Sequence, residues 1–117
     1  MSFKENVQEL QNMIFTGKLL EAFEKFYGED VVMQENFEEP RTGKAANRAY
    51  EEKFVASVEA IHDGGISNIT YDEAKQVAMV ESWMDVSFKG GPRVKMGQVA
   101  VQQWQGDQIV HERFYHS

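Results

Sequence analysis

Residues 77–116 read VAMVESWMDVSFKGGPRVKMGQVAVQQWQGDQIVHERFYH. Apolar and polar residues alternate with a period of two in three runs, and this pattern predicts strands over Val77–Phe88, Val94–Trp104 and Ile109–His116. A Lys-Gly-Gly-Pro turn follows the first run, and a Gln-Gly-Asp hairpin turn follows the second. Three strands joined by short turns predict an antiparallel meander.

The residues at the start of the chain show helical periodicity instead. Ser2 and Glu5 have the spacing of a capping box, and apolar residues then recur every three or four positions as far as Ile14. A second short helix is predicted over Leu19–Phe26, stopped at Gly28.

The middle of the chain is mixed. Val31–Met33 is a short β-prone run, and the Pro- and Gly-containing residues 36–44 are typical of a loop. A third helix is predicted from Lys44 to about Ile61, closed by the His-Asp-Gly-Gly sequence at 62–65. Ile66–Tyr71 then predicts one more strand.

Helices followed by an antiparallel meander are typical of the α+β class. We expect three helices to cover one face of a strongly curved sheet, which makes a cone with an interior cavity. The chain has 117 residues, too few for two independent cores, so residues 1–117 are predicted to form one domain.

Composition excludes several classes of function. The chain has no cysteine, which excludes disulfide scaffolds, thiol catalysis and cysteine-rich zinc sites. Its 19 acidic and 12 basic residues give a net charge of −7, which argues against binding to nucleic acid or to anionic lipid. No apolar run approaches the length of a membrane helix and no export signal is visible, so a cytoplasmic location is expected.

Strand alternation indicates which side chains face the cavity. In the first run of the meander the almost wholly apolar set is assigned to the interior: Ala78, Val80, Ser82, Met84, Val86 and Phe88. Alternation alone does not separate the faces of the other two runs. Their interior candidates are Met96, Gln98, Ala100, Gln102 and Trp104, followed by Val110, Glu112, Phe114 and His116. A one-residue error in register would move each set to the opposite face.

The opposite, outer face of the sheet carries Met79, Trp83, Val99 and Val101. This apolar area is too large to leave in water as one patch, and the helices occupy the other face. We therefore expect a homodimer that packs sheet against sheet, with Arg113 near the edge of the interface.

Two segments resemble a known group of proteins. Residues 27–48 read YGEDVVMQENFEEPRTGKAANR, with a Tyr-x-x-Asp start, a short strand ending in a carboxylate, and Pro-Arg-x-Gly opening a helix. Residues 97–117 read GQVAVQQWQGDQIVHERFYHS, which is similar to a terminal hairpin of the same group. These features resemble the ketosteroid isomerases and SnoaL-like polyketide cyclases of the nuclear transport factor 2-like superfamily. The resemblance implies a cystatin-like cone, but the superfamily includes both enzymes and binding proteins, so the fold does not decide function.

The resemblance assigns roles to particular positions. Glu35 falls where the isomerases place their general base, and Tyr27 matches a tyrosine that supports their oxyanion hole. The two oxyanion donors of that group are absent, because Leu10 and Ala100 stand at the matching positions. Loss of one such donor typically costs about 10²–10³ in rate, so steroid isomerase activity is not expected.

The polar candidates each admit two interpretations. Glu35 is either a general base, made stronger by an apolar cavity, or a solvent-exposed glutamate at the end of a strand. Glu112 and His116 are either an acid/base pair at the cavity mouth or a surface pair, and we favour the surface pair. His111 and His116 are five positions apart, an odd spacing that points them to opposite faces of a strand, so no metal site is predicted.

The predicted ligand pocket combines residues from all these segments. Gln98 and Gln102 would orient a carbonyl or hydroxyl group, or else bond within the protein. The remaining members form the wall or its rim: Tyr27, Met33, Phe54, Ser82, Met84, Met96, Glu112, Phe114 and His116.

Three functions are compatible with this sequence. The first is an enzyme without a bound cofactor, in which Glu35 removes a proton next to the carbonyl of a small, largely apolar substrate. The second is a non-catalytic protein that binds such a ligand. The third is an accessory dimer whose cavity is filled by its own side chains.

Overall fold

The computed structural model describes all of residues 1–117. Helix α1 spans Phe3–Phe15, and its start confirms the capping box: the Ser2 hydroxyl accepts from the Glu5 amide and the Glu5 carboxylate accepts from the Ser2 amide. Helix α2 spans Leu19–Phe26. No helix of the structure has the length and hydropathy that crossing a membrane requires.

The chain changes from helix to strand without a loop after α2. Strand β1 spans Tyr27–Glu35, so the chain is already extended at Gly28, where the helix was predicted to stop. The predicted β-prone run Val31–Met33 is the middle of this strand, and Glu35 ends it, as the resemblance implies. The backbone at Tyr27 is already extended and pairs in parallel with Ile109. A two-residue strand, β2 (Arg41–Thr42), lies in the predicted loop and pairs with β1.

The third helix is shorter than predicted and the strand after it is longer. Helix α3 spans Lys44–Ser57 and strand β3 spans Val58–Asp72. The Gly64-Gly65 pair lies inside β3, opposite Met84 and Trp83, instead of forming a turn. A Cβ atom on Gly64 would come within 3.0 Å of the Phe15 ring and 3.2 Å of the Trp83 carbonyl oxygen, so glycine lets the first helix pack closely on the strand.

The meander has the predicted form. Strands β4 (Val77–Phe88), β5 (Arg93–Gln105) and β6 (Gln108–Tyr115) pair antiparallel in chain order. The complete sheet has the order β2-β1-β6-β5-β4-β3, and only the β1–β6 pair is parallel. The α+β class and the mostly antiparallel sheet are therefore confirmed.

The inner face of the sheet is organised in rows that cross β4, β5, β6 and β1. Ala78, Gln102, Glu112 and Met33 are directly paired neighbours and form the deepest row, in which every side chain is buried. Val80, Ala100, Phe114 and Glu35 form the next row. Burial of Ala78 and Val80 beside the exposed Met79 agrees with the predicted interior face of β4.

Candidate ligand-binding and active site

A cavity of about 270 Å³ lies between the helices and the inner face of the sheet. Fourteen of its 22 lining residues are hydrophobic, so its wall is mainly apolar. The polar side chains in the lining are Gln11, Glu35, Glu51, Ser82, Gln98, Glu112 and His116. An apolar cavity with a few convergent polar groups is the usual form of a small-molecule site.

Most of the residues predicted for the pocket lie in this lining. They are Glu35, Tyr27, Phe54, Ser82, Met84, Met96, Gln98, Glu112, Phe114 and His116.

Met33 and Gln102 do not line the cavity, which corrects the prediction for these two positions. Met33 belongs to the hydrophobic core and is 1% exposed, and Gln102 is fully buried. Gln102 is used within the protein, since its amide nitrogen donates to Glu112 at 2.8 Å and its oxygen accepts from the Trp104 indole at 3.0 Å. The interior face proposed for Gln102 agrees with its pairing to Ala78 and Glu112, but its depth in the core was not predicted.

Glu35 lies at the cavity wall with both carboxylate oxygens engaged. One oxygen accepts from Arg41 Nη2 at 3.0 Å and the other is 3.1 Å from His116 Nε2. The side chain is 14% exposed, which rules out the solvent-exposed interpretation of this residue. Its role as a general base stays a prediction.

Arg41 is itself held in place from two sides. Its guanidinium lies 3.6 Å from the centre of the Tyr50 ring, and its Nε donates to Asn47 Oδ1 at 3.2 Å. Asn47 is fully buried, and its amide nitrogen donates to the carbonyl oxygens of Arg41 and Gly43 at 3.0 and 2.8 Å. The short strand β2 therefore presents Arg41 to Glu35 in a fixed position.

Glu112 is buried, so the favoured expectation of a surface pair with His116 was wrong. It is 2% exposed, and its carboxylate accepts from the Tyr27 hydroxyl and from Gln102. Desolvation raises the pKa of Glu112 to about 7, opposed by these two hydrogen bonds and assisted by the charges of Glu51 and Glu35. Burial and the adjacent Glu112 raise the pKa of Tyr27 well above its ordinary value.

Glu51 is a member of the site that the sequence interpretation missed. It projects from α3 into the cavity lining, is half-buried, and makes no side-chain hydrogen bond or ion pair. Desolvation raises its pKa to about 7, with Arg41 acting in the opposite direction and Glu35 in the same direction. The inward face of α3 carries Asn47, Glu51 and Phe54 at positions i, i+4 and i+7, and this partly polar stripe was the available signal.

The outer-face candidates keep their predicted side of the sheet, with one addition. Met79 is 45% exposed, and Val99, Val101 and Arg113 are half-buried. Trp83 is half-buried and also contributes to the cavity wall, and its indole ring lies next to Gly65 of the neighbouring strand. No group of three or more His, Asp or Glu side chains is arranged to hold a metal ion.

A cystatin-type α+β cone with an internal, mainly apolar cavity is the architecture of a class of proteins with a site for small molecules. Within that class the family is shown by sequence: the model of the SnoaL-like domain matches residues 1–116, and the chain belongs to this family. No sequence among the curated proteins matches.

Solved structures agree on the fold. A SnoaL-like polyketide cyclase-type protein from Mesorhizobium loti is 24% identical, with a TM-score of 0.84 over 98% of this chain and 99% of that chain. A cystatin fold protein from Novosphingobium aromaticivorans is 17% identical, with a TM-score of 0.79 over 97% of each chain. An epoxide hydrolase of the LEH-like type from Mycobacterium tuberculosis is 17% identical, with a TM-score of 0.76 over 97% of this chain and 80% of that chain. At these identities the likeness shows the fold alone.

Proposed function

We propose that this protein binds a small, largely apolar carbonyl compound in its cavity and moves a proton on it, as an isomerase or cyclase does. The observation that carries the proposal is the presence of carboxylates in different environments on the wall of one apolar cavity. Glu35 is paired with Arg41 and His116, whereas Glu112 is desolvated and has a pKa of about 7. An ion-paired carboxylate and a desolvated carboxyl group in one site can divide the roles of base and acid between them.

Each carboxylate has a role in the proposed reaction. Glu35 accepts a proton from the carbon next to the carbonyl group, and the electron pair of the broken C–H bond forms an enol or enolate. Glu112 in its protonated form, or the Gln98 amide, donates a hydrogen bond to the carbonyl oxygen. In a β,γ-unsaturated carbonyl compound the electron pair extends to the γ-carbon as a dienolate, and return of the proton to that carbon completes an isomerisation without a cofactor.

Deuterium exchange at the α-carbon tests this chemistry directly. Acetophenone is a suitable probe, because a cavity of 150 Å³ can hold benzene and this cavity has about 270 Å³. In D₂O the protein should accelerate exchange of the methyl protons, followed by NMR. Glu35→Gln should reduce the enzymatic rate by about 10²–10⁴, the usual contribution of a general base. Glu29→Gln, at an exposed position on the same strand, is the matched control. Binding of the ketone without accelerated exchange would contradict the catalytic role.

The alternative is a non-catalytic ligand-binding protein or dimeric accessory protein that retains the cone. Two observations favour it. Both oxygens of Glu35 are already engaged by protein groups, and Leu10 and Ala100 line the cavity with apolar side chains where the resemblance places oxyanion donors. Ligand binding that survives Glu35→Gln, without turnover by the wild type, is the result that this alternative predicts.

We also propose that the protein forms a homodimer through the outer face of the sheet. The exposed Met79 and the half-buried Trp83, Val99 and Val101 support this arrangement. Val101→Glu would place an unpaired charge in the interface, at a cost of several kcal/mol, and should shift the protein toward monomer. Light scattering at micromolar concentration measures the mass, and a wild-type value near 13.4 kDa would contradict the dimer. A cytoplasmic location remains a prediction that cell fractionation would test.

A further inference from the structure

The ionisable side chains of the cavity wall are mostly acidic. The lining contains the three carboxylates of Glu35, Glu51 and Glu112 and no Lys or Arg. The one guanidinium close to the wall, that of Arg41, is 3.0 Å from Glu35 and forms an ion pair with it. Arg41 also favours the ionised form of Glu51, but it forms no ion pair with Glu51 or Glu112.

Glu51 differs from the other two carboxylates in having no partner. Glu35 is bonded to Arg41 and His116, and Glu112 is bonded to Tyr27 and Gln102. Glu51 makes no hydrogen bond and no ion pair, and its half-buried side chain lines the mainly apolar cavity. A carboxylate in this position is stabilised most strongly by a cation that enters the cavity.

The walls next to Glu51 are suited to the same type of group. Tyr50 and Phe54, on the same helix, line the cavity with aromatic rings. The Tyr50 ring already accepts a cation on one face, where the Arg41 guanidinium lies 3.6 Å from its centre. Aromatic faces attract alkylammonium groups through their quadrupole, and this attraction increases when water is excluded.

We propose that the molecule bound in this cavity carries an alkylammonium group, which pairs with Glu51 and packs against the aromatic wall. This inference rests on the proposed function for the site itself, and it narrows the ligand to an amine or an amino-substituted carbonyl compound. Carboxylate-bearing molecules of the same size should bind more weakly, because ionised Glu51 repels them and the cavity lining contains no Lys or Arg to pair with them.

Binding of the cation is coupled to the protonation of Glu51. The pKa of Glu51 is raised to about 7 by desolvation, and a cation beside it favours the ionised form and lowers that pKa. The charged and titratable groups that surround it are Glu35 and Tyr27 on β1, Arg41 on β2, Tyr50 on α3, Glu112 on β6 and His116 after β6. At pH 7 binding should therefore release about half a proton, and affinity should fall about tenfold from pH 8 to pH 6.

Isothermal titration calorimetry with three one-ring probes tests the inference. The probes are benzylamine, which is protonated throughout this pH range, acetophenone as the neutral carbonyl compound, and benzoate as the anion. At pH 8 benzylammonium should bind at least tenfold more tightly than benzoate. At pH 7, the heats in buffers of different ionisation enthalpy should show release of about half a proton with benzylammonium.

A pair of neighbouring substitutions identifies the residue responsible. Glu51→Gln should weaken benzylammonium binding at pH 8 at least tenfold and abolish the proton release. Glu52→Gln is the matched control, because Glu52 follows on the same helix, is exposed and pairs with Arg48. If Glu51→Gln fails to fold, two measurements on the wild type still test the inference. They are the order of affinity of the three probes and the number of protons released when benzylammonium binds.

The outcomes separate this inference from the proposed function. Binding and exchange of acetophenone, with benzylammonium no better than benzoate, would overturn the inference and leave the proposed function in place. Tight benzylammonium binding that Glu51→Gln does not weaken would also overturn it. Tight, Glu51-dependent benzylammonium binding with no exchange of acetophenone would support the inference and contradict the catalytic role. Failure of all three probes to bind would overturn both.

Discussion

Replacing Glu112 by Gln should stabilise the protein at alkaline pH and not at acid pH. Burial raises the pKa of Glu112 from 4.5 to about 7, and each pKa unit corresponds to about 1.4 kcal/mol. Ionisation of Glu112 in the folded state therefore costs about 3 kcal/mol relative to the unfolded chain. The unfolded chain loses this proton near pH 4.5 and the folded protein near pH 7, so the free energy of unfolding falls between these values. The cost is fully present above pH 7 and absent below about pH 4.5.

A glutamine at position 112 avoids the cost and keeps most of the hydrogen bonds. Its oxygen can accept from the Gln102 amide, and its nitrogen can donate to the Tyr27 hydroxyl after that hydroxyl rotates. Allowing about 1 kcal/mol for imperfect hydrogen bonding, the variant should be more stable than wild type by about 2 kcal/mol at pH 8.

Urea denaturation at pH 4.5, 6 and 8, followed by circular dichroism, measures the difference. The stability gain of Glu112→Gln should grow from about zero or slightly negative at pH 4.5 to its full value at pH 8. Glu29→Gln, which removes a negative charge from an exposed position, controls for net charge. The reasoning is refuted if the free energies of unfolding of the wild type and of Glu112→Gln differ by the same amount at all three pH values. A pH-independent difference cannot come from ionisation of Glu112.

Two further predictions concern the parts of the fold that hold the site. Asn47→Ala removes four side-chain hydrogen bonds, including the one from Arg41. The free energy of unfolding, measured by urea denaturation, should fall by about 3 kcal/mol. A loss below about 1 kcal/mol would contradict the role of Asn47 as an anchor of Arg41. Gly64→Ala should lower the free energy of unfolding by about 1–3 kcal/mol in the same assay, because its Cβ would lie 3.0 Å from the Phe15 ring. Gly97→Ala is the control and should be nearly neutral, because its Cβ would meet no atom closer than 3.9 Å.

The features that the sequence predicted correctly depend on neighbouring residues. The capping box of α1 joins Ser2 to Glu5 across three positions, and the turns of the meander are set by the residues within them. Strand register in β4 follows from its alternation and is transmitted to β5 through direct pairs such as Val80 with Ala100. These signals are local, so no knowledge of the rest of the fold was needed.

The errors fall where distant residues decide the structure. Val58–Ile61 can continue a helix as readily as begin a strand, and the outcome depends on pairing with β4, 25 or more residues further along the chain. Gly64-Gly65 is a typical turn sequence, but here it lies within a strand. Because Gly64 has no side chain, Phe15 and the Trp83 carbonyl group can pack against it closely. Local propensity was overruled by tertiary packing in both cases.

The candidate site was only partly predictable for a related reason. The strand residues facing the cavity follow from parity, but their depth depends on how closely the helices approach each row of the sheet. Gln102 and Glu112 are paired neighbours in the same row, yet only Glu112 reaches the cavity. Glu51 was missed because a charged residue on a helix is normally assigned to solvent, whereas here the inward face of α3 forms part of the cavity lining.

The energetics of Glu112 bear on whether the site is catalytic. The hydrogen bonds at this position do not require a carboxylate, because a glutamine can satisfy both Tyr27 and Gln102. A purely structural residue would therefore be better replaced by the amide, which avoids an ionisation cost of about 3 kcal/mol at neutral pH. What the carboxylate adds is the capacity to hold or release a proton near pH 7 inside an apolar cavity, and this is the property that proton transfer to a bound ligand requires.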